Sequence, residues 1–469
     1  MKRLFGTDGI RGEAGRFPLD AQTIRVAGRS LARHLAERAG RAPRIVTGRD
    51  TRESGAWIER AFSAGVRDAG AACDSAGVVT TPGVAYLTRA LDADAGVVIS
   101  ASHNPYHDNG IKVFAPTGRK LDDATERLVE ADIHAARDAE AARDGGRDEV
   151  DARAGVDESV ADDGQADDER AAALRERYLD YLAEEVGRDL RLDGLKVVAD
   201  CANGAAHALA PALLRRLGAR VTATNDAPDG RNINEGCGSL HLEGLQQRVV
   251  ADGADFGVAF DGDADRALFV DARGELVDGD ATLWVMAGHF QDRGRLKSGC
   301  VVATVMSNLG LELALRSRGV KLLRTDVGDK YVLEELLRTN CEVGGEQSGH
   351  IIFPSVSLAG DGMITAVMLL RAVKESGRPL DELTRGFTRL PQTLVNVRVR
   401  EKLPFAEVDA IARRVRETEG ALGERGRLLL RYSGTEPLAR VMIEGERQDE
   451  IERLAGGLAE AIRESLGAG

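Results

Sequence analysis

The chain is poor in aromatic residues and cysteine, and it lacks both long apolar runs and an excess of basic charge. Aromatic side chains make up only 4% of its 469 residues, although a hydrophobic content of 43% suffices for globular packing. No apolar run approaches the ~20 residues needed to span a bilayer. No early segment joins a basic region to an apolar one as an export signal does, so no membrane role is expected and a cytoplasmic location is. The five cysteines (Cys73, Cys201, Cys237, Cys300, Cys341) are scattered, odd in number and without C-x-x-C spacing. Neither a disulfide framework nor a zinc site is therefore expected, and the thiols are read as reduced and mostly buried. Lys and Arg number 63 against 76 Asp and Glu, a net charge of −13. A nucleic-acid partner would need a basic stripe, which this balance argues against.

The acidic excess is local. Residues 131–170 hold fourteen Asp/Glu against five Arg, which accounts for −9 of the −13. With no aromatic residue and almost no periodic apolar face, this stretch reads as a solvated, partly disordered linker or insertion. The length suggests roughly three or four domains. Alternating apolar runs and amphipathic Ala/Leu/Arg-rich stretches indicate α/β architecture. The predicted divisions are 1–135, the acidic 136–169, 170–275, 276–387 and 388–469. In the first, a helix is predicted from an Asp20 cap to Gly40, then a strand over Arg44–Thr47, the loop G-R-D-T-R and a helix ending at Gly70. Strands are also predicted at Val97–Ile99, Ile111–Phe114, Leu195–Asp200, Phe256–Phe260, Cys300–Val305 and Val320–Arg324. Three successive α/β blocks, each with a strand running into a polar or Gly-rich loop, hint at diverged repeats. The last block, joined at Arg385–Pro391, alternates polar and apolar residues and reads as a small α+β domain.

Four loops carry candidate chemistry. Ser100-Ala-Ser102-His103-Asn-Pro breaks an apolar run with a hydroxyl beside an imidazole and only small neighbours, which suits an exposed nucleophile or phosphate carrier. An ordinary strand–turn–strand is the plainer alternative. Asp261-Gly-Asp263-Ala-Asp265-Arg266 sets three carboxylates at a strand end, spaced to converge on a hard cation, with magnesium favoured. An EF-hand fails, because Arg266 stands where its Gly is required and Ala272 where its Glu is. A phosphatase with Asp261 as nucleophile and a purely structural acidic turn stay open. Arg431-Tyr-Ser433-Gly434-Thr435-Glu-Pro, followed by Arg440, has the groups of a phosphate cradle, with a solvated basic turn as the alternative. Glu346-Gln347-Ser348-Gly-His350 offers groups suited to vicinal sugar hydroxyls. At the N-terminus, the glycines around Arg11 leave it room to approach a substrate.

S-A-S-H-N-P, D-G-D-A-D-R, G-E-Q-S-G-H and R-Y-S-G-T-E-P, in this order, resemble the signatures of the α-D-phosphohexomutase superfamily. The resemblance covers the chain outside its acidic stretch. It implies three similar α/β domains with mixed sheets plus a smaller C-terminal α+β domain, around a central cleft. It implies that Ser102 is carried as phosphoserine and that one magnesium ion is held by Ser102, Asp261, Asp263 and Asp265. Arg11, His103 and Arg266 would neutralise the transferring phosphoryl group, and Lys112 would be the general acid/base with His350 as partner. Glu346, Gln347 and Ser348 would bind the sugar, and Arg431, Ser433, Gly434, Thr435 and Arg440 the phosphate that is not reacting. F-G-T-D-G-I-R-G and Gln347 resemble the branch acting on glucosamine phosphates more than the branch acting on mannose and glucose phosphates. Hexosamine phosphates are the partners expected. A glucose or glucosamine bisphosphate activator, a homodimer, and a kinase or autophosphorylation supplying the first phosphate complete the expectation. A sugar-phosphate sensor without turnover is the remaining alternative.

Overall fold

The structure, a computed structural model, describes residues 3–6, 9–144, 164–433 and 436–467. Local signals set the elements as the sequence indicates. The first long helix, Ala21–Ala39, starts where Asp20 accepts from the Thr23 N–H at 2.9 Å and stops at Gly40, whose φ of 67° ends the turn. The first sheet contains β1 (Phe5–Gly6), β2 (Gly9–Glu13), β3 (Arg44–Arg49), β4 (Ala72–Val78), β5 (Ala95–Ile99) and β6 (Asp108–Phe114), in the order β1-β2-β6-β5-β3-β4. The second contains β7 (Lys196–Asp200), β8 (Arg220–Thr224), β9 (Phe256–Phe260), β10 (Ala267–Asp271) and β11 (Leu276–Val277), in the order β11-β10-β9-β7-β8. The third contains β12 (Cys300–Thr304), β13 (Lys321–Thr325), β14 (Gly344–Gly345) and β15 (Ile351–Ile352), in the order β13-β12-β14-β15.

The same unit recurs in all three. A strand lies between two parallel neighbours (β3 between β4 and β5, β7 between β8 and β9, β12 between β13 and β14), and the later neighbour turns back into an antiparallel partner (β6, β10, β15). These are the diverged repeats the sequence hinted at. Each turn back carries one of the three central candidate loops. The fourth sheet, with β16 (Gln392–Arg398), β17 (Arg427–Tyr432) and β18 (Leu438–Glu444) in the order β16-β18-β17, is wholly antiparallel. It packs against the helices Asp409–Leu422 and Gln448–Leu466.

Two expectations are corrected. Cys300 and Cys341 are joined in a disulfide across a sequence separation of 41. The parallel pairing of Val302 with Gly344 brings the starts of the two segments together, which spacing in the chain cannot reveal. Cys73, Cys201 and Cys237 are free, and the last two are buried. The stretch read as a linker from residue 131 is helical at both ends: one helix runs Asp123–Asp144 and another Gly164–Asp180. Val129 and Ile133 bury one face of the first, and Asp132 accepts from Ser30, Arg33 and His34 of the first long helix. Residues 145–163, the middle of that stretch, lie outside the described residues. Among the described residues, no helix is long and apolar enough to cross a membrane.

Candidate active site

Ser102 sits in the turn between β5 and β6 with φ 53°, a left-handed conformation that a residue with a side chain adopts only when its surroundings impose it. The surroundings are specific. Its N–H donates to Ser100 Oγ at 2.9 Å, and Ser100 Oγ donates in turn to Asp50 Oδ2 at 2.6 Å. Its carbonyl accepts from Arg52 Nη2 and from Asn234 Nδ2, both at 2.9 Å. Arg52 and Asp50 form a fully buried ion pair at 2.9 Å, and the same guanidinium also binds the carbonyls of Asn104, Pro105 and Asp108. Burial raises the Asp50 carboxyl, with Arg52 and Ser100 opposing. The serine hydroxyl, 1% exposed as a residue, donates to Asp261 Oδ2 at 2.6 Å.

Asp261, Asp263 and Asp265 lie on the turn between β9 and β10, with one oxygen of each within 4.8 Å of the others. Gly262 lets this turn press on the serine loop: a Cβ there would stand 2.6 Å from the Ser102 carbonyl oxygen. Asp263 Oδ2 accepts from Lys112 Nζ at 2.9 Å and from Thr81 Oγ1 at 2.6 Å. Its Oδ1 and the Oδ1 of Asp265 are buried without a hydrogen-bond partner. Two orphaned carboxylate oxygens beside a serine oxygen match the hard-oxygen set that magnesium requires. Burial and the two neighbouring carboxylates push Asp261 well above the usual carboxylate range. Burial acts the same way on Asp265, but Lys112, His350 and Arg266 outweigh it and hold that group well below the range. Without a cation, one carboxylate is driven toward protonation while its neighbour stays ionised.

The third turn, between β14 and β15, brings in the sugar candidates. His350 Nδ1 lies 3.7 Å from Asp265 Oδ1; burial lowers its pKa, but Asp265, Asp329 and Glu346 raise it to about 9. Glu346 accepts from the Gly328 N–H and the Ser348 hydroxyl, both at 3.2 Å. Arg266 Nη1 is 3.2 Å from His103 Nδ1, and burial together with Arg266 and Arg11 lowers the His103 pKa. His103 Nδ1 faces the Arg266 guanidinium, a neighbour that favours the neutral imidazole. Arg11 lies on β2 opposite Gly110. Ser102, His103, Arg11, Lys112, the aspartate trio, Arg266, Glu346 and His350 thus meet in one place.

Arg431, Ser433 and Arg440 form a second group in the fourth sheet, where Arg431 pairs directly opposite Arg440. Arg440 reaches Ser433 Oγ at 3.5 Å and Glu436 at 3.2 Å. Gly434 and Thr435, and Asp8 near the N-terminus, lie outside the described residues. Sequence reading passed over Asp50, Arg52, Thr81 and Asn234, which hold Ser102 and Asp263 in place. The G-R-D-T-R loop ending at Arg52 was the available signal, since a clustered Arg and Asp directly after a buried strand is where a buried ion pair forms.

Sequence profiles place the chain among known proteins. Three α/β/α domains of phosphoglucomutase/phosphomannomutase match residues 2–140 (domain I), 176–274 (domain II) and 278–390 (domain III), and the C-terminal domain matches 394–461. A phosphoglucosamine mutase from Solibacter usitatus is 49% identical over 466 residues, covering 99% of each chain. Another, from Mycolicibacterium paratuberculosis, is 48% identical, covering 98% of this chain and 99% of its own. In fold, the chain is similar to a phosphoglucomutase/phosphomannomutase family protein from Burkholderia thailandensis (TM-score 0.76, 23% identity, 99% and 97% of the two chains). It is also similar to an N-acetylphosphoglucosamine mutase from Aspergillus fumigatus solved with GlcNAc-6P and magnesium (TM-score 0.66, 18% identity, 98% and 96%).

Proposed function

The chain belongs to the phosphoglucomutase/phosphomannomutase family of phosphohexomutases, and on that premise we propose that it interconverts glucosamine 6-phosphate and glucosamine 1-phosphate through a phosphoserine at Ser102. The observation that carries the reading is the strained Ser102, its hydroxyl 2.6 Å from Asp261 inside an aspartate trio with unpartnered buried oxygens. The identity of 45–49% to relatives named phosphoglucosamine mutase supports the choice of sugar.

In the forward step, the 1-hydroxyl of the sugar attacks the phosphorus on Ser102. The new O1–P bond forms, the P–Oγ bond breaks, the sugar hydroxyl gives up a proton and the serine oxygen gains one. Lys112, held at 2.9 Å from Asp263, handles this proton traffic, with His350 as its partner. Arg11, Arg266 and His103 surround the transferring group, where fixed charges and donors lower the barrier without reorganising. The trio and Ser102 would hold magnesium, which when bound draws charge from the phosphoryl oxygens. The 1,6-bisphosphate then turns end over end, and its 6-phosphate returns to Ser102. Glu346, Gln347 and Ser348 hold sugar hydroxyls in both orientations, while Arg431, Ser433, Gly434, Thr435 and Arg440 grip the distal phosphate. The product feeds amino-sugar nucleotides for the cell envelope, in the cytoplasm. A kinase or autophosphorylation sets the first phosphate, a sugar bisphosphate maintains it, and the enzyme works as a homodimer.

The test is a peptide mass. The fragment bearing Ala101–His103 is expected to carry one added phosphate that glucosamine 6-phosphate chases off. Ser102→Ala is expected to lose at least ~10⁴-fold in rate; retained turnover with release of inorganic phosphate would favour a phosphatase built on Asp261. A clear preference for mannose 6-phosphate would move the chain to the other branch.

A further inference from the structure

One threonine of the first domain holds a member of the aspartate trio twice. Thr81, within the match to domain I, opens the helix Thr81–Ala90. That helix start is fixed by its own sequence: Thr80 Oγ1 accepts from the Gly83 N–H at 3.1 Å, and Pro82 suits the first turn. The seat is tight, since a Cβ on Gly83 would stand 2.8 Å from Val79 Cγ2 and 3.0 Å from the ring of Tyr178. From this position Thr81 makes two bonds to Asp263, which lies within the match to domain II. Its N–H donates to the Asp263 carbonyl at 3.0 Å, and its hydroxyl donates to Asp263 Oδ2 at 2.6 Å.

The consequence lies in how the two oxygens of Asp263 are divided. Oδ2 also accepts from Lys112 Nζ at 2.9 Å, so two donors share this one oxygen. A carboxylate oxygen has two lone pairs, and here both are taken. Oδ1 is buried with no hydrogen-bond partner, in a trio that brings one oxygen of each member within 4.8 Å of the others. Asp263 can therefore offer a cation one oxygen and not two. That distinction separates the common hard cations: calcium accepts carboxylates bidentately in a loose shell, whereas magnesium demands a compact octahedron of single oxygens. Thr81 is itself only 4% exposed, which keeps solvent from taking the place of its hydroxyl.

We infer that Thr81 is a positioning residue for the metal: by occupying Oδ2 beside Lys112, its hydroxyl confines Asp263 to ligation through Oδ1 alone and so sets a preference for magnesium over calcium. This rests on reading the trio as a magnesium site. Lys112 by itself does not suffice, because one ammonium leaves the second lone pair of Oδ2 open. The methyl group of Thr81 has no part in the effect. Serine should therefore serve as well, and valine, of the same shape without the hydroxyl, should not. Partners that orient a metal ligand are worth roughly 10- to 100-fold in metal affinity.

The experiment titrates magnesium chloride and calcium chloride separately into the full-length wild type, Thr81→Val, Thr81→Ser and Asp263→Asn by calorimetry, with no sugar phosphate present. Thr81→Val is expected to weaken magnesium roughly 10- to 100-fold while calcium changes by less than about threefold. Thr81→Ser is expected to stay within about threefold of wild type for both cations. Unchanged magnesium affinity in Thr81→Val, equal weakening of both cations, or a loss in Thr81→Ser as large as in Thr81→Val would overturn the inference. Should valine keep the chain from folding, Thr81→Ala against Thr81→Ser makes the same comparison, since both lose the methyl group and only one loses the hydroxyl. The metal site and the role of Thr81 fail separately. If the wild type binds magnesium no more tightly than Asp263→Asn, the trio is not the metal site and the role of Thr81 falls with it. If Asp263→Asn loses magnesium while Thr81→Val binds it as the wild type does, the trio holds the metal and Thr81 does not set its choice.

Discussion

Val46, Phe114, Tyr178, Phe260, Trp284 and Leu369 belong to a single buried apolar cluster that runs through the first three sheets, whereas Val397, Ile411, Val441 and Leu458 form a separate cluster in the fourth. The two regions therefore hold their functional groups by different physics. Close-packed interiors do not slide, so the three turns carrying Ser102, Asp261 and Glu346 keep fixed mutual distances. The fourth sheet meets the third across polar contacts instead. Glu444 accepts from Asn308 Nδ2 and the Leu309 N–H, both at 3.2 Å, and pairs with Arg427 at 2.7 Å. Contacts of this kind exchange for water far more readily than an apolar core separates. On the proposed function, the chemistry sits on the continuous apolar core and the distal phosphate contacts sit on the separately packed fourth sheet.

The sharpest way to break this comparison is to strike the rigid centre. Lys112→Met is expected to lower kcat by roughly 10²- to 10⁴-fold, because a positioned acid/base contributes that much. KM is expected to stay within a few fold, since no sugar contact is lost. A rise in KM without a fall in kcat would move Lys112 from proton transfer to binding. At the junction, Glu444→Ala leaves the partly exposed Arg427 guanidinium with the Ser307 carbonyl as its remaining partner and takes the buried acceptor from two further donors, at a cost of about 3 kcal/mol. Hydrogen exchange should then quicken across residues 392–444 while β5, β9 and β12 keep their protection. Loosening throughout all four sheets would mean that the molecule is one cooperative body and the contrast is wrong.

How much of this was visible in the chain follows the same division. Asp261, Asp263 and Asp265 were legible because a metal turn is contiguous, and Ser102 because small residues and an imidazole frame it. The residues that fix them were not: Thr81 reaches Asp263 across a separation of 182 residues, and Asn234 reaches the Ser102 carbonyl across 132. No local pattern marks a partner chosen by topology. The Cys300–Cys341 bridge escaped for the same reason, since it depends on the register of β12 with β14. β18, the middle strand of the fourth sheet, is hidden in the sequence because its start overlaps the phosphate-loop candidate that ends at Arg440, although Val441, Met442 and Ile443 are buried.

A subtler probe lies behind the rigid centre. Asp361 accepts from the Tyr178 hydroxyl at 2.5 Å and from two N–H groups at the start of the helix Gly362–Ser376, and burial raises its pKa from 3.8 to about 6. A carboxyl raised on folding favours the folded state most when protonated. Its contribution is full below pH 4 and is lost as the pH rises through about 6, a change of up to about 3 kcal/mol. Asp361→Asn is expected to remove that part of the slope, so the melting temperatures of wild type and variant should diverge between pH 4 and 6 and run parallel above. Parallel curves over the whole range would show that the group does not titrate in this window.

The smallest effect is expected in the fourth sheet, and it tests what that sheet is for. Arg431 and Arg440 stand directly opposite each other on β17 and β18, an arrangement that costs stability when both are charged. Glu436 offsets part of the repulsion, reaching Arg440 at 3.2 Å, but it is itself more than half exposed, so the relief is small. Such a pair makes sense where an anion comes to sit between its members, and a phosphate is the anion this reaction supplies. Arg440→Met should therefore stabilise the fourth domain slightly in the absence of anions, by a few tenths of a kcal/mol. It should also raise KM for the sugar phosphate roughly tenfold while leaving kcat nearly unchanged, the reverse of the pattern at Lys112. Millimolar inorganic phosphate should raise the melting temperature of the wild type and not that of the variant. Equal responses would place the phosphate elsewhere, and a fall in kcat matching that of Lys112→Met would mean that the fourth domain takes part in the chemical step itself.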